Sequence, residues 1–296
     1  MNLKIAIIAL TRGYPEDKSK YDTLIKRNKA IYEKINSLRE IPTDLLLFHE
    51  DNLSLKDQEY INKESPEEIK FINVSKYFKN EHLILDGEEK FSLGYRQMCR
   101  FHMYYLWDEV SNYDYILRVD EDIEIVEFNP NIFEFMQSKK INYLTGRFTK
   151  DTHRLTNQTL PYYLIENSKL NVRKVYNHRN PYTNLYASSV KFWKKDDIQL
   201  LLKKIATSDQ QIINRWGDHT VQGIVLNHKN EKIKLFPKLE YSHISHSLVI
   251  KNNLFRNLTI NSRLNPVSIT GGFFNRVKQR IKGILKNNNK YDFDRN

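Results

Sequence analysis

Apolar residues along this chain come in short bursts of two different periods, separated by long polar stretches. Leu3–Leu10 (LKIAIIAL) is almost uninterrupted and stops at Thr11, Arg12 and Gly13, which predicts a strand buried on both faces. Residues 22–38 repeat Ile and Leu at helical spacing among lysines and close before Pro42, which predicts a helix. Asp44–Phe48 (DLLLF) predicts a second buried strand running out into His49, Glu50 and Asp51. A strand, a helix and a strand in succession imply a parallel pair with a right-handed crossover. A polar stretch follows to about residue 90. Cys99, Met103, Leu106, Trp107 and Val110 then share one face of a long helix over 92–111. Tyr115–Val119 (YILRV) predicts a central strand, with further strands at 123–126, 141–146 and 232–236. Residues 147–183 show no apolar period and are expected to form loops around a substrate site. Helices are expected over 197–206 and 219–227. The alternation implies the α/β class, a central sheet flanked by helices.

Composition narrows this modestly. The 296 residues suit one large α/β domain or two small ones. Hydrophobic residues make up 40% and the mean hydropathy is −0.64, a globular composition with a polar surface. No run approaches the roughly 20 apolar residues that cross a bilayer, and Leu3–Leu10 is too short for a secretory leader. The single cysteine, Cys99, allows no internal disulfide and points to a reducing compartment. Its place on the apolar helix face favours core packing over a reactive thiol. A net charge of +11 attracts phosphorylated substrates, anionic lipid and nucleic acid alike. The chain has no zinc-ligand spacing and no RNP-like aromatic segment, which argues against nucleic acid.

The sharpest chemical signal is the end of the central strand, Tyr115-Ile-Leu-Arg-Val-Asp120-Glu121-Asp122. Ligands of α/β sheets gather at the carboxyl ends of strands, and here a buried strand delivers a run of carboxylates to such an end. Residues two apart on extended chain point to the same side, so Asp120 and Asp122 converge. Two close carboxylates repel, and a divalent cation removes the conflict. Such a cation also bridges to a diphosphate and stabilises its charge as it leaves. An acidic tripeptide of this kind serves phosphatases and nucleases as well as glycosyltransferases.

Three more segments narrow the choice: Leu93-Gly-Tyr95-Arg96-Gln-Met98-Cys99-Arg100-Phe101, Arg215-Trp216-Gly217-Asp218-His219, and Glu240-Tyr241-Ser242-His243. With the acidic motif, in this order and spacing, they resemble the glycolipid 2-α-mannosyltransferase family. That family shows Tyr-Arg-x-Met-Cys-Arg-Phe, then Tyr-x-Tyr-x-Arg-Val-Glu-Pro-Asp, then Arg-Trp-Gly-Asp, then Gly-Tyr-x-His. The likeness runs over about residues 5–246. It implies a GT-A fold with a Rossmann-like central mixed sheet, in a single catalytic domain over 1–268. It also implies Mn²⁺ (or Mg²⁺), GDP-mannose as donor, a glycan or glycolipid acceptor, and retention of anomeric configuration.

Residue by residue, the resemblance implies Asp120 and Asp122 as metal ligands completed by His243, a set that suits Mn²⁺. It implies Asp218 as a catalytic carboxylate that binds sugar hydroxyls or takes the acceptor proton. A helix N-cap is an equally good reading of that aspartate. It places Arg12, Tyr95 and Arg118 around the nucleotide sugar. Arg96 and Arg100 share a helix face and either meet phosphate or guanine or form a solvated basic face. Trp216 either stacks on a sugar or fills the core.

The chain also departs from the family. Asp120 is one methylene shorter than the family's glutamate, and Glu121 adds a third carboxylate. The family's Asn-Phe-Glu, with its candidate nucleophile, is matched by Asn184-Leu185-Tyr186, and no Asp or Glu occurs between Glu166 and Asp196. Tyr186 thus stands at a catalytic position without the means for a covalent glycosyl-carboxylate. Front-face substitution is expected instead, with the leaving diphosphate assisting deprotonation of the acceptor. A GT-A enzyme with another nucleotide sugar and a non-catalytic relative are the competing readings.

Because the sequence starts at the first core strand, a cytoplasmic bacterial or viral-type relative is expected. In the basic C-terminal tail, 269–296, an apolar arc of Phe273, Phe274, Val277, Ile281, Ile284 and Leu285 faces a cationic remainder over 273–286. This suits peripheral contact with anionic lipid on the inner face of the membrane and equally a helix packed on the domain's own surface. Liposome flotation with and without residues 272–296 separates the two.

Overall fold

The computed structural model describes residues 3–40, 43–79 and 91–252. Strands β1 (Ile5–Thr11), β2 (Asp44–His49) and β3 (Ile69–Asn73) are parallel neighbours, with helices α1 (Asp22–Lys34) and α2 (Leu55–Glu64) as their crossovers. The chain then returns to the other side of β1 as β4 (Tyr115–Val119), again parallel. Beyond β4 lie β9 (Leu185–Ser189), antiparallel to it, then β6 (Tyr143–Thr145) and β10 (Lys234–Leu235). The seven-stranded mixed sheet has the order β10-β6-β9-β4-β1-β2-β3. A second antiparallel sheet joins β5 (Ile123–Glu127), β11 (Leu239–His243) and β12 (Leu248–Asn252), and β7 (Phe148–Thr149) pairs with β8 (Asn180–Pro181).

Alternation along the central strands splits the interior in two. Ala6, Ile8, Leu46, Phe48 and Ile116 face one core, and Ile5, Ile7, Leu45, Leu47 and Leu117 face the other. Strands buried on both faces need continuous apolar runs, which is what their sequences supply. The first core is closed by α3 (Leu93–Arg100), a π-helical turn (Phe101–Tyr105), α4 (Leu106–Glu109), α6 (Arg154–Ser168), α7 (Val172–Tyr176), α8 (Val190–Trp193), α9 (Asp196–Ala206) and α11 (Asp218–His228), with the short α10 (Asp209–Ile213) between the last two in sequence. The second is closed by α1 and α5 (Ile132–Ser138). Cys99 is buried in the first core, where its helix face predicted. Among the described residues no helix is long and apolar enough to cross a membrane.

From β1 the chain runs outward to β2 and β3, and from β4 it runs the opposite way. The carboxyl ends of β1 and β4 therefore form a topological switch point, where open α/β sheets bind ligands. Arg27 of α1 ties this point together. Its fully buried guanidinium donates to the carbonyl of Ile8 in β1 (3.1 Å) and to that of Val119 at the end of β4 (3.0 Å). Burial pulls its pKa down to about 9.

Several expectations change. The first strand spans Ile5–Thr11 rather than Leu3–Leu10. The polar stretch before residue 90 contains α2 and β3: α2 buries only Asp57 and Ile61, and β3 is an edge strand, so neither needs much apolar sequence. The helix over 92–111 is interrupted by the π-turn. Residues 147–183 are not mainly loops. They hold α6 and α7, and α6 conceals its period because it buries a narrow stripe (Thr156, Leu160, Leu164) and carries Pro161 inside it. The predicted strand at 232–236 shrinks to Lys234–Leu235. The tail over 269–296 lies outside the described residues.

Candidate active site

At the switch point opens a cavity of 590 Å³. Its walls come from the end of β1 (Leu10, Thr11, Arg12), from Glu50 after β2, from α3 and the π-turn (Tyr95, Met98, His102), and from Arg118, Asp120, Glu121 and Asp122. The acidic turn is pinned by its backbone: Asp120 N–H donates to Asn184 O (3.0 Å), Ile123 N–H to Asp120 O (3.1 Å), and Ile244 N–H to Asp122 O (3.0 Å). Gly13 lets the β1 and β2 exits pack together, since a Cβ there would sit 1.7 Å from the carbonyl oxygen of Asn52.

Asp122 and His243 meet because β11 pairs antiparallel with β5 and sets His243 opposite Ile123. The ring's Nε2 is 3.1 Å from Asp122 Oδ2. Its Nδ1 is 2.8 Å from the Tyr182 hydroxyl and 3.2 Å from Asn184 Nδ2, which fixes the ring plane. Burial pushes the Asp122 carboxyl up, but the hydrogen bonds from His243 and Ser245 outweigh it and hold the pKa below the usual range. Asp120 behaves oppositely. Burial raises its pKa, the charges of Asp122 and Asp218 add to that, and Arg118 only partly offsets them. Glu121 is likewise raised, first by burial, although Thr11 Oγ1 donates to its Oε2 at 2.6 Å. The site thus crowds more negative charge than its own cations balance.

Arg118 organises that charge. It donates to Asp120 at 2.6 and 3.2 Å and to Asp218 at 2.8 Å, and its side chain is 5% exposed. Asp218 is the first residue of α11 and the N-cap is Gly217, so the capping reading is not what is found. The Asp218 carboxylate is spent on Arg118 beneath the cavity wall.

The remaining sequence candidates divide. Arg12 lines the cavity, with its guanidinium over the Tyr14 ring. Tyr95 lines it too, its hydroxyl accepting from Arg215 at 3.2 Å. Arg96 does not. Its guanidinium donates to the carbonyls of Phe91, Ile212 and Ile213, which fastens α3 to α10, so neither the phosphate nor the solvated reading fits it. Arg100 is buried on α3 and is not among the lining residues. Trp216 fills the core, donating to Thr159 Oγ1 at 2.8 Å and packing on Tyr163, so it has no face for a sugar. Tyr186 is fully buried behind Arg118, its partner in the β4–β9 register, and stacks on Tyr143 at 5.1 Å. Direct substrate contact is not open to its side chain here.

Sequence reasoning missed several groups. Tyr182, Asn184 and Ser245 hold the Asp122–His243 pair, and no local pattern announces them. Asp151 is another. It is buried and accepts from Arg215 (3.0 Å), Thr220 (3.0 Å) and the backbone N–H of His153 (2.8 Å), with His219 Nε2 at 3.2 Å. Arg215 itself sits at φ 54°, over the Phe91 ring at 4.2 Å. The Arg-Trp-Gly-Asp segment is therefore a folded corner that sets α11 against α3.

Burial opposes ionisation of Asp151, yet the His219 hydrogen bond and the His219 and Arg215 charges win and hold it far below the ordinary value of 3.8. A depressed carboxyl stabilises the fold above its unfolded pKa and loses that contribution as pH falls through its folded pKa. Asp151→Asn is expected to cost about 3 kcal/mol at pH 7. It should also flatten the loss of stability below about pH 4, as read by urea unfolding across pH. An unchanged acid limb would show that Asp151 carries no such linkage.

Among the described residues, no three histidine, cysteine, aspartate or glutamate side chains stand gathered around one point for a metal ion. Asp120 is turned to Arg118, while Asp122 and His243 face each other. In its chemistry the donor set still fits a divalent cation: carboxylates and an imidazole, with a carboxyl raised by like charge.

A model of one family, described as glycolipid 2-alpha-mannosyltransferase, matches residues 56–258, more than half of the chain. The chain belongs to the glycolipid 2-alpha-mannosyltransferase family. One relative is the probable mannosyltransferase KTR3 of Saccharomyces cerevisiae, 24% identical over 176 residues. That match takes in 51% of this chain and 43% of the relative, so it spans less than half of the relative's length. Two solved structures share the fold of this family member. Core-mannan synthase A (CmsA/Ktr4) of Aspergillus fumigatus, in a Mn/GDP form, has a TM-score of 0.64 at 17% identity, covering 82% of this chain and 75% of that one. The mannosyltransferase Ktr4p of Saccharomyces cerevisiae, in complex with GDP, has a TM-score of 0.67 at 15% identity, covering 91% and 78%. The central mixed sheet and its flanking helices are those of the GT-A glycosyltransferases, as the resemblance in the sequence implied.

Proposed function

We infer that this chain transfers mannose from GDP-mannose to a glycan or glycolipid hydroxyl, with a divalent cation, Mn²⁺ or Mg²⁺, held by Asp120, Asp122 and His243. One observation carries the reading: Asp122, with His243 3.1 Å behind it, borders a cavity whose other carboxylates are raised in pKa by burial and mutual repulsion. Membership of the family supports the reaction class, and both solved structures are GDP forms, one of them also with Mn. When bound, the cation supplies Lewis-acid stabilisation of a leaving diphosphate.

The chain's own residues do the rest. Arg12 and Arg118 both line the cavity and offer positive charge for the diphosphate. Tyr95 presents its ring to the donor and is held there by Arg215. Arg118 also holds the Asp120 and Asp218 carboxylates in place, so that the acidic end is preorganised before substrate arrives. With Tyr186 where the family has a glutamate, no carboxylate from that strand reaches the sugar, and retention proceeds by front-face substitution. Calorimetric titration with GDP-mannose and with UDP-sugars, with and without Mn²⁺, tests the reading. GDP-mannose is expected to bind at least tenfold tighter with Mn²⁺ and to outbind the UDP-sugars; metal-independent or UDP-selective binding would sink it.

A further inference from the structure

Four carboxylates line the cavity, and three of them already have a partner. Asp120 accepts from Arg118, Glu121 accepts from Thr11, and Asp122 meets His243. Glu50 is different. It is partly exposed, and among the described residues its carboxylate has no hydrogen-bond or ion-pair partner, yet neither oxygen is among the occluded unpaired atoms. Both oxygens are therefore open to solvent and to a ligand. The backbone beneath them is fixed: the Glu50 carbonyl accepts from Leu53 N–H (3.2 Å), and His49 Nδ1 lies 2.8 Å from it. Burial raises the Glu50 pKa despite the Arg12 charge, as befits a carboxyl short of donors.

Position and chemistry narrow what supplies those donors. An ionised carboxylate only accepts, so it suits N–H or O–H groups and repels a phosphate. β4, β1 and β2 are successive neighbours, so the β2 exit that carries Glu50 stands roughly 10 Å, two strand spacings, from the acidic end of β4. A nucleotide with its diphosphate at Asp120 and Asp122 would extend its base towards Glu50. The exit of the next strand, β3, is tied to that of β2 by Val74 N–H to His49 O (2.8 Å) and leads to Phe78, which adds an aromatic ring to the cavity wall. A carboxylate and an aromatic ring are the groups that recognise a base by its edge and its face. Guanine is the base with two neighbouring donors, N1–H and the 2-amino group, which match the two oxygens of one carboxylate. Uracil offers a single N–H flanked by carbonyls.

We propose that Glu50 selects the donor's base, its two carboxylate oxygens accepting from N1–H and the 2-amino group of guanine. This rests on the reading of the cavity as the donor site.

The test measures affinities of the wild type, Glu50→Ala and Glu50→Gln for GDP, IDP and UDP, with Mn²⁺ present. IDP is GDP without the 2-amino group. The wild type is expected to bind GDP about tenfold tighter than IDP, and UDP more weakly still. In Glu50→Ala, GDP should lose about a hundredfold and IDP about tenfold, so that the two bind alike. Glu50→Gln keeps the size but sets an amide N–H against a donor of the base, so its GDP preference should collapse as well. Equal losses on all three nucleotides would put the carboxylate on the ribose or mark local damage, and either overturns the proposal. A wild type that does not distinguish GDP from IDP overturns it too, as does wild-type preference in Glu50→Gln. A wild type that binds none of the three, or UDP best, ends the donor-site reading and this inference with it. GDP binding that both variants leave untouched ends this inference alone.

Discussion

Replacing Arg118 with methionine is expected to destabilise the protein by about 3–5 kcal/mol at neutral pH, read from the urea midpoint. The side chain it replaces bridges Asp120 and Asp218 at 2.6 and 2.8 Å and is nearly free of solvent. Methionine fills most of the volume, so the loss is mainly that of two carboxylates left without their cation. The sign of the pH dependence separates this from a packing defect. Asp120 already sits above its ordinary pKa, and losing Arg118 raises it further. A folded carboxyl with a raised pKa takes up protons more readily than the unfolded one, so its penalty grows as pH rises through the folded value. The deficit of Arg118→Met should therefore be largest at pH 7 and shrink towards pH 4. Adding Asp218→Asn should recover part of it at pH 7. A deficit that is constant with pH would mean that charge pairing is not what Arg118 supplies.

Asp122→Ala is expected to lower transfer from GDP-mannose by about 10²–10³-fold, the several kcal/mol that a bound cation contributes to a leaving diphosphate. His243→Ala should act in the same direction. In both, the Mn²⁺-dependent tightening of GDP-mannose should disappear while thermal unfolding still shows a folded protein. Tyr182→Phe and Asn184→Ala remove groups that hold the His243 ring rather than the proposed ligands, and a loss of roughly tenfold to a hundredfold is expected for such partners. Product formation on a mannoside acceptor, across a Mn²⁺ series, reads all four variants. Wild-type turnover with unchanged metal dependence in Asp122→Ala would remove the proposed metal site.

How much of this was legible beforehand depended on where each residue draws its meaning. The first strand, the central strand and its acidic end could be read because a strand buried on both faces must be apolar throughout, and because carboxylates at its end have nowhere to hide. Cys99 was legible as core from its helix face. The edge strand Ile69–Asn73 and the helix Arg154–Ser168 were not, since each buries too few side chains to impose a period. Arg96 and Arg100, four apart, look like a phosphate-binding face, yet Arg96 is consumed by carbonyls more than a hundred residues away in sequence. Trp216 and Tyr186 sit in motifs that suggest chemistry, and packing claimed both.

Sequence by itself determined the α/β class, the strand that carries the acidic turn, and, through four short motifs in order, the family. Those follow from local rules: apolar runs make buried strands, and carboxylates follow one at its end. Only the tertiary structure decided which charges meet. Antiparallel pairing of Leu239–His243 with Ile123–Glu127 brought an imidazole to Asp122, and Arg118 claimed Asp120 and Asp218 together. A π-turn in the middle of a helix set a buried histidine, His102, in the cavity wall. Hydrogen bonds between residues a hundred positions apart depend on strand order and register, which no window of sequence contains.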